Sequence, residues 1–274
     1  MAHTPAGTPQ IVPDRDVPTA WLVRTGGIDQ SWVDPRDPTR LEFDYTARIG
    51  AHIDAQAPPG SRLRVVHIGG AGMSLARYVA ATRPHSPQIV IEPDAALTQA
   101  VRDTIGLPRE FGIKVRAMDG RTALRQLRAD YADLVILDAF AGGQVPADLV
   151  TVECFQAVSR VLGASGTIVA NLVDARPFEW TRRVVAGLSH VFAHTALSAE
   201  TPVFKGRRFG NLIAAASGAE LPVDALNRSA SSSPFPYRLV GGPELTSFVA
   251  GARPFTDADT APSPPRTDWR TWRG

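Results

Sequence analysis

The sequence predicts an α/β fold built on a mostly parallel sheet, and three observations carry that reading. From residue 64 onward, continuous apolar runs alternate with stretches of helical period, the pattern of strands covered on both faces by crossover helices. The first of these runs climbs through "RVVHI" into the glycine-rich turn "GGAGMS", which opens directly into a helix. The last two runs, 194–200 and 209–217, are joined by a short basic connection, "TPVFKGRR". No crossover helix fits in that length, so the final strand is expected to run antiparallel.

The elements follow in chain order. Residues 1–18 are rich in Pro, Thr and Asp without period and are expected to form a flexible arm. Residues 19–60 read as a small N-terminal unit. Its first part, 19–34, is two short strands around Gly26-Gly27, a hairpin signal. Leu41, Tyr45, Ile49 and Ile53 then recur at helical spacing until "APPGS" stops the helix. Residues 61–218 form the main domain, with strands expected at 64–69, 88–93, 114–119, 132–139 and 167–173 and helices at 74–82, 95–105, 121–128, 149–162 and 178–190. Residues 219–274 are an extension with weak signals, expected to hold one small helix and a mobile tail in which Trp269 and Trp272 are the docking candidates.

Composition excludes several function classes. The 274 residues are 44% hydrophobic and 20% charged with a net charge of +2, too mild and too scattered a basicity to argue for nucleic acid. A single cysteine, Cys154, supports neither a disulfide framework nor a thiolate metal site. Six histidines are dispersed without ligand spacing, so no metal is expected. The N-terminal residues lack the apolar core of a secretory signal. No apolar run approaches the roughly 18–20 residues that a membrane span needs. A cytoplasmic protein that engages neither membrane nor nucleic acid is the expectation.

Ligands of an open parallel sheet bind beyond the carboxyl ends of its strands, so the residues there are the ones to inspect. The first strand ends in Gly69, Gly70, Ala71 and Gly72, the second in Glu92, the third in Asp119, the fourth in Asp138, the fifth near Asn171 and Asp174. Glycines at 69, 70 and 72 let the turn approach a ligand. Glu92 stands where a carboxylate accepts from two ribose hydroxyls. Asp119 is placed to accept from a purine's exocyclic amine, and Asp138 stands at the reacting end. Each has a plainer alternative: a strand–helix turn closed for packing, a charge on a helix dipole at Glu92, an N-cap at Asp119. Their order along the strands points to a nucleoside. A dinucleotide fold prefers G-x-G-x-x-G, whereas here Ser74 occupies the third glycine position, and a phosphate-free ligand such as an adenosyl sulfonium suits the loop better. His67 and Cys154 read as packing residues, and the basic run 205–208 as the cap of a hairpin, with a lip over the ligand as its second reading.

These segments resemble the spermidine synthase (polyamine aminopropyltransferase) family over about residues 20–217. "VVHIGGAGMSLARYV" is similar to its glycine-rich motif, "IVIEPD" to its ribose-binding strand end, "RAMDGRTAL" to its adenine-contacting segment and "YADLVILDAF" to the strand that carries its catalytic aspartate. "IDQSWVDPRDPTRLEFDYTARIGAHI" resembles its N-terminal hairpin and helix, a pairing that plain methyltransferases usually lack. The resemblance implies a Rossmann-like S-adenosylmethionine-dependent methyltransferase fold with a small N-terminal β region, and a homodimer. It implies nucleoside contacts at Gln30, Glu92, Asp119 and Gly120, and at Asp138 the group that orients or deprotonates the attacking amine.

Two departures stand out: Gly72 replaces an aspartate of the family's glycine loop, and Ala141 replaces the second aspartate of its D-x-x-D segment. The expected function is therefore a spermidine synthase-like transferase with an incomplete polyamine motif. It holds no permanent cofactor, takes decarboxylated S-adenosylmethionine or S-adenosylmethionine as co-substrate, and uses an amine for which putrescine is a poor model. A methyltransferase is the alternative, favoured by the loss of a carboxylate at 72 that would repel the donor's own. A non-catalytic nucleoside-binding dimer is the third reading.

Overall fold

Alternate residues along the central strands feed two separate cores. Val65, Leu134, Ile136, Val169 and Ile213 point to one face, where they meet Ile49, Ile53, Leu75 and Val79. Val66, Ile68, Val135, Leu137, Ile168 and Leu172 point to the other, against Leu124, Phe155, Val184 and Leu245. This two-sided burial is why the strands read as unbroken apolar runs rather than alternating ones. The computed structural model describes residues 8–266.

The N-terminal sheet is β1 (Gln10–Pro13), β2 (Trp21–Thr25) and β3 (Ile28–Val33), all antiparallel. Residues 10–13 are thus a paired strand, not part of a loose arm; residues 1–7 lie outside the described residues. The third strand gives the hairpin what a two-stranded ribbon lacks for stability, and Ala20, Leu22 and Trp32 close a small core with Phe43. Helix α1 (Asp44–Gln56) follows.

The main sheet is assembled from β4 (Val65–Ile68), α2 (Ser74–Thr82), β5 (Gln88–Ile91), α3 (Ala95–Thr104), β6 (Ile113–Arg116), α4 (Gly120–Gln126), β7 (Ala132–Leu137), α5 (Val152–Val161), β8 (Leu162–Asp174), α6 (Glu179–Val191), β9 (His194–Glu200), α7 (Thr201–Phe204), β10 (Gly210–Ser217), α8 (Val223–Ser232), β11 (Tyr237–Gly241) and α9 (Gly242–Val249). Among the described residues its order is β11-β9-β10-β8-β7-β4-β5-β6. Strands β8, β7, β4, β5 and β6 are mutually parallel, and β10 inserts antiparallel between β8 and β9.

Several boundaries differ from expectation. The segment 149–162 begins with a 3-10 turn, Ala147–Leu149, before α5 is capped by Thr151, whose Oγ1 accepts from the Cys154 N–H at 3.2 Å. Its last residue belongs to β8, which starts earlier than the apolar run because Leu162 pairs with Ala132. Beyond 218 there are two helices with an edge strand between them, rather than one small helix. The tail is packed as far as it is described, with Phe255 and Ser263 both buried; Trp269 and Trp272 lie outside the described residues. Among those residues no helix is long and apolar enough to cross a membrane.

Candidate functional site

All the parallel strands end on one side of the sheet, and there a cavity of about 1070 Å³ opens between the sheet and the N-terminal hairpin. Gln30, Gly69, Gly70, Glu92, Asp119, Gly120 and Asp138 all line it. Ala141, at the altered D-x-x-D position, does too.

The glycines answer to protein neighbours. Gly69 has φ +95°, and a Cβ there would lie 2.1 Å from the Asp138 carbonyl oxygen. Only glycine lets β4 end against the backbone that carries Asp138. At Gly70 a Cβ would sit 2.7 Å from Val90 Cγ1 and 3.4 Å from Glu92 Cβ, and at Gly120, 2.7 Å from Ile68 Cγ2. Gly72 is held differently from Gly69 and Gly70. It is absent from the cavity lining. Its N–H donates to Ser31 Oγ at 3.1 Å, and a Cβ would lie 2.8 Å from Ser31 Cβ and 3.0 Å from Val23 and Val33 methyls. The hairpin is seated on this glycine, so packing against β2 and β3 by itself requires a glycine here. Of the two altered positions, 141 is the one whose residue lines the cavity.

Glu92 is buried, 8% exposed, and organises the glycine turn. Its Oε2 accepts from the N–H groups of Gly70 (3.0 Å) and Ala71 (3.2 Å), and its Oε1 from the Asp94 N–H at 3.0 Å. Asp119 is the N-cap of α4, accepting from the Thr122 N–H at 2.8 Å. Burial pushes its carboxyl up, but the hydrogen bonds from Thr122 outweigh that and hold it below the usual range. The plainer role expected for Asp119 is therefore real, and so is its place on the cavity wall. The carboxylate of Glu92 serves the loop while it faces the cavity.

Asp138 follows β7, and its N–H donates to the Ile68 carbonyl at 2.9 Å. Its Oδ1 accepts from Asn171 Nδ2 at 2.8 Å, and Asn171 Oδ1 in turn accepts from Asn211 Nδ2 at 2.9 Å. This relay fixes the Asn171 amide with its donor end towards the carboxylate. Burial pushes the Asp138 carboxyl up to about 6, against the Asn171 hydrogen bond, which pulls it down. A carboxylate so poised exchanges protons near neutrality. Tyr45 also lines the cavity. Its phenol is held well above its usual pKa, first by burial and then by the charges of Asp138 and Asp44, so it stays a neutral donor.

The sequence reading missed Tyr45 and Asn211, and Asn171 was noted only by its place. Tyr45 was absorbed into the apolar stripe of its helix. The two asparagines did leave a signal: each interrupts an apolar run, "IVANLV" and "GNLIAAAS", on strands that pair with each other. Asp174, also at a strand end, turns away to accept from Thr181 and Ala175. His67 is buried on β4 and also lines the cavity; its Nε2 is bonded to Gln88 at 2.9 Å, and burial pulls its pKa down to about 4. Cys154 is buried and its thiol is pushed up to about 11, chiefly by burial. The basic run 205–208 closes the β9–β10 connection, with Arg208 on Glu200 at 2.5 Å, and does not line the cavity.

No family model matches the chain. Among curated proteins it is 28% identical over 140 residues to a polyamine aminopropyltransferase of Vibrio vulnificus, a match spanning 50% of this chain and 46% of that protein, so just under half of the relative's length is represented. A probable spermidine synthase from Corynebacterium glutamicum superposes with a TM-score of 0.84 at 29% identity, over 93% of this chain and 97% of that one. A spermidine synthase in complex with the transition state analogue AdoDATO gives 0.60 at 17% identity, over 92% and 83%, a likeness of fold alone.

Proposed function

Proceeding from a chain that is spermidine synthase-like in sequence and fold, we propose that it is an aminopropyltransferase-type enzyme that binds decarboxylated S-adenosylmethionine and transfers its aminopropyl group to an amine. The observation that carries this is Asp138: a carboxylate raised to about 6, aimed by Asn171, in the same cavity as Glu92 and Asp119.

In this reading Glu92 and Asp119 hold ribose and adenine, and Gln30 contacts the nucleoside from the hairpin side. Asp138 accepts a proton from the incoming ammonium, leaving a nitrogen lone pair. That pair attacks the carbon on the sulfonium; the C–N bond forms as the C–S bond breaks, and sulfur keeps the electron pair as a neutral thioether. No charge beyond the proton held at Asp138 is needed, so orientation supplies most of the acceleration. The C. glutamicum protein, similar over nearly its whole length, supports the assignment without identifying the amine.

A second reading, methyl transfer from S-adenosylmethionine, is favoured by one feature. The hairpin side of the cavity presents Asp29, Gln30 and Ser31, and Asp29 is ion-paired with Arg24, so a donor carboxylate meets a neutralised charge there. Calorimetry with both donors, followed by the mass of the product formed with an amine panel, separates the two. Aminopropyl adducts that vanish in Asp138→Asn support the first reading. Methyl adducts establish the second, and binding without turnover leaves a nucleoside-binding protein.

A further inference from the structure

The cavity has one wall outside the strand ends. After α9 the chain returns as a strap, residues 252–266, across the loop that follows β7. Ser263 is fully buried; its N–H donates to the Val145 carbonyl at 3.1 Å, its Oγ accepts from the Val145 N–H at 2.9 Å, and its carbonyl accepts from the Gln144 amide. Thr260 Oγ1 donates to the Ala147 carbonyl at 2.7 Å and Trp180 Nε1 to the Ala261 carbonyl at 2.8 Å. Asp257 accepts from Thr151 at 2.7 Å and from Arg121 at 2.6 Å. The strap is thus bonded to the segment that carries Ala141, and it delivers Arg266 to the cavity. The Arg266 guanidinium carbon lies 5.6 Å from the centre of the Phe209 ring, immediately before β10.

The strand order places the strand ends along the cavity, and Arg266 adjoins the ring that immediately precedes β10. Along the cavity edge come β5 with Glu92, β4 with the glycine turn, β7 with Asp138, β8 with Asn171, then β10 with Asn211. Neighbouring strands are about 4.8 Å apart, so Glu92 and the β10 end lie on opposite sides of Asp138, each roughly 10 Å across the sheet. Along the strand ends the order is therefore carboxylates at the nucleoside end, Asp138 in the middle and two amides, with the Arg266 guanidinium beside Phe209 at the β10 side; Asp29, from the hairpin, also lines the cavity and is ion-paired with Arg24. Position 141 adds no negative charge, and Asp148, another carboxylate on the wall, sits in the field of Arg121.

We propose that Arg266 is a specificity-determining residue that binds a carboxylate of the acceptor, so that the acceptor is a zwitterionic amino acid with its amine at Asp138 rather than a dicationic diamine. This rests on the transferase reading for the role of the amine. A guanidinium offers a planar fork matched to a carboxylate and repels a second ammonium. The donor's methionine carboxylate is the other source of that chemistry. The acceptor is favoured because Arg266 stands beyond Asp138 from the nucleoside end.

The test reads equilibrium binding, so it does not depend on turnover. The full chain, in the presence of methylthioadenosine, is titrated with 4-aminobutanoate and with 1,4-diaminobutane, which share a chain length and differ at one end. The native protein is expected to bind 4-aminobutanoate at least about tenfold tighter, the effect of one charge-assisted hydrogen bond. Arg266→Gln abolishes that preference and Arg266→Lys restores part of it, both with native melting curves. In a second arm, decarboxylated and intact S-adenosylmethionine keep the same affinity ratio in native and Arg266→Gln protein. The proposal is overturned by a native preference for the diamine, by a preference that survives Arg266→Gln, by failure of both amines to bind, or by a loss confined to S-adenosylmethionine. Should the binding ratio hold while no amine is ever alkylated, it is the transferase reading that fails.

Discussion

Asp138 depends on an amide from another strand, Asn171 on β8, while position 141 of its own segment is an alanine. Asn171 donates to Asp138 Oδ1, and Asn211 prevents Asn171 from turning its oxygen inward. That hydrogen bond favours the charged form, so removing it raises the carboxyl further above its present value of about 6. Transfer needs the ionised carboxylate, so activity is expected to rise with pH through about 6, and Asn171→Leu to move that limb upward by about one unit or more. A pH profile of kcat/KM that stays in place in the variant would remove Asn171 from this role. Glu92 is a second residue with two duties. In Glu92→Gln the amide nitrogen cannot accept, so one of the N–H groups of Gly70, Ala71 or Asp94 loses its partner and the ribose loses a charged acceptor. Methylthioadenosine is expected to bind at least about tenfold more weakly, from the loss of about 1.5–3 kcal/mol; calorimetry giving native affinity would dismiss the ribose assignment.

At the scale of elements, the contact between the glycine turn and the hairpin matters most. Val23, Ser31 and Val33 close over Gly72, whose N–H is already given to Ser31. Restoring the family's aspartate by Gly72→Asp should therefore not rebuild a polyamine site. It drives a carboxylate into side chains 2.8–3.0 Å from its Cβ, with overpacking and desolvation together costing roughly 2–3 kcal/mol. The melting temperature is expected to fall by several degrees and diamine affinity not to rise; a stable variant with improved diamine binding would show that position 72 reaches the cavity after all. The same contact explains why the hairpin was legible as strands but its role was not. Strand alternation and Gly26-Gly27 are local signals, whereas the seat on Gly72 joins residues 41 positions apart.

At the scale of the whole molecule, we propose the homodimer implied by the family resemblance. Among the described residues the exposed large apolar side chains are Val223 and Phe235, so no broad apolar face awaits a partner. A dimer interface formed by the described residues is therefore mostly polar and its assembly concentration-dependent. Light scattering across a dilution series is expected to show twice the chain mass falling towards the single-chain value; a single-chain mass at every concentration would leave the protein a monomer.

What the sequence by itself determined is what depends on neighbours in the chain. Apolar runs in "RVVHI", "QIVIE" and "ADLVILD" specify two-sided strands, and turn residues place Glu92, Asp119 and Asp138 at their ends, because period and turn chemistry are local. Tertiary structure alone decided which of those side chains share a cavity and which groups surround them. Gly72 became the seat of the hairpin through three side chains of another sheet. Asn211 reached Asn171 only because β10 inserts beside β8. Arg266 arrived on a strap whose hydrogen bonds, such as Gln144 to Ser263, span 119 positions. No local pattern encodes such pairings; they exist only once burial of the two cores has closed the chain on itself.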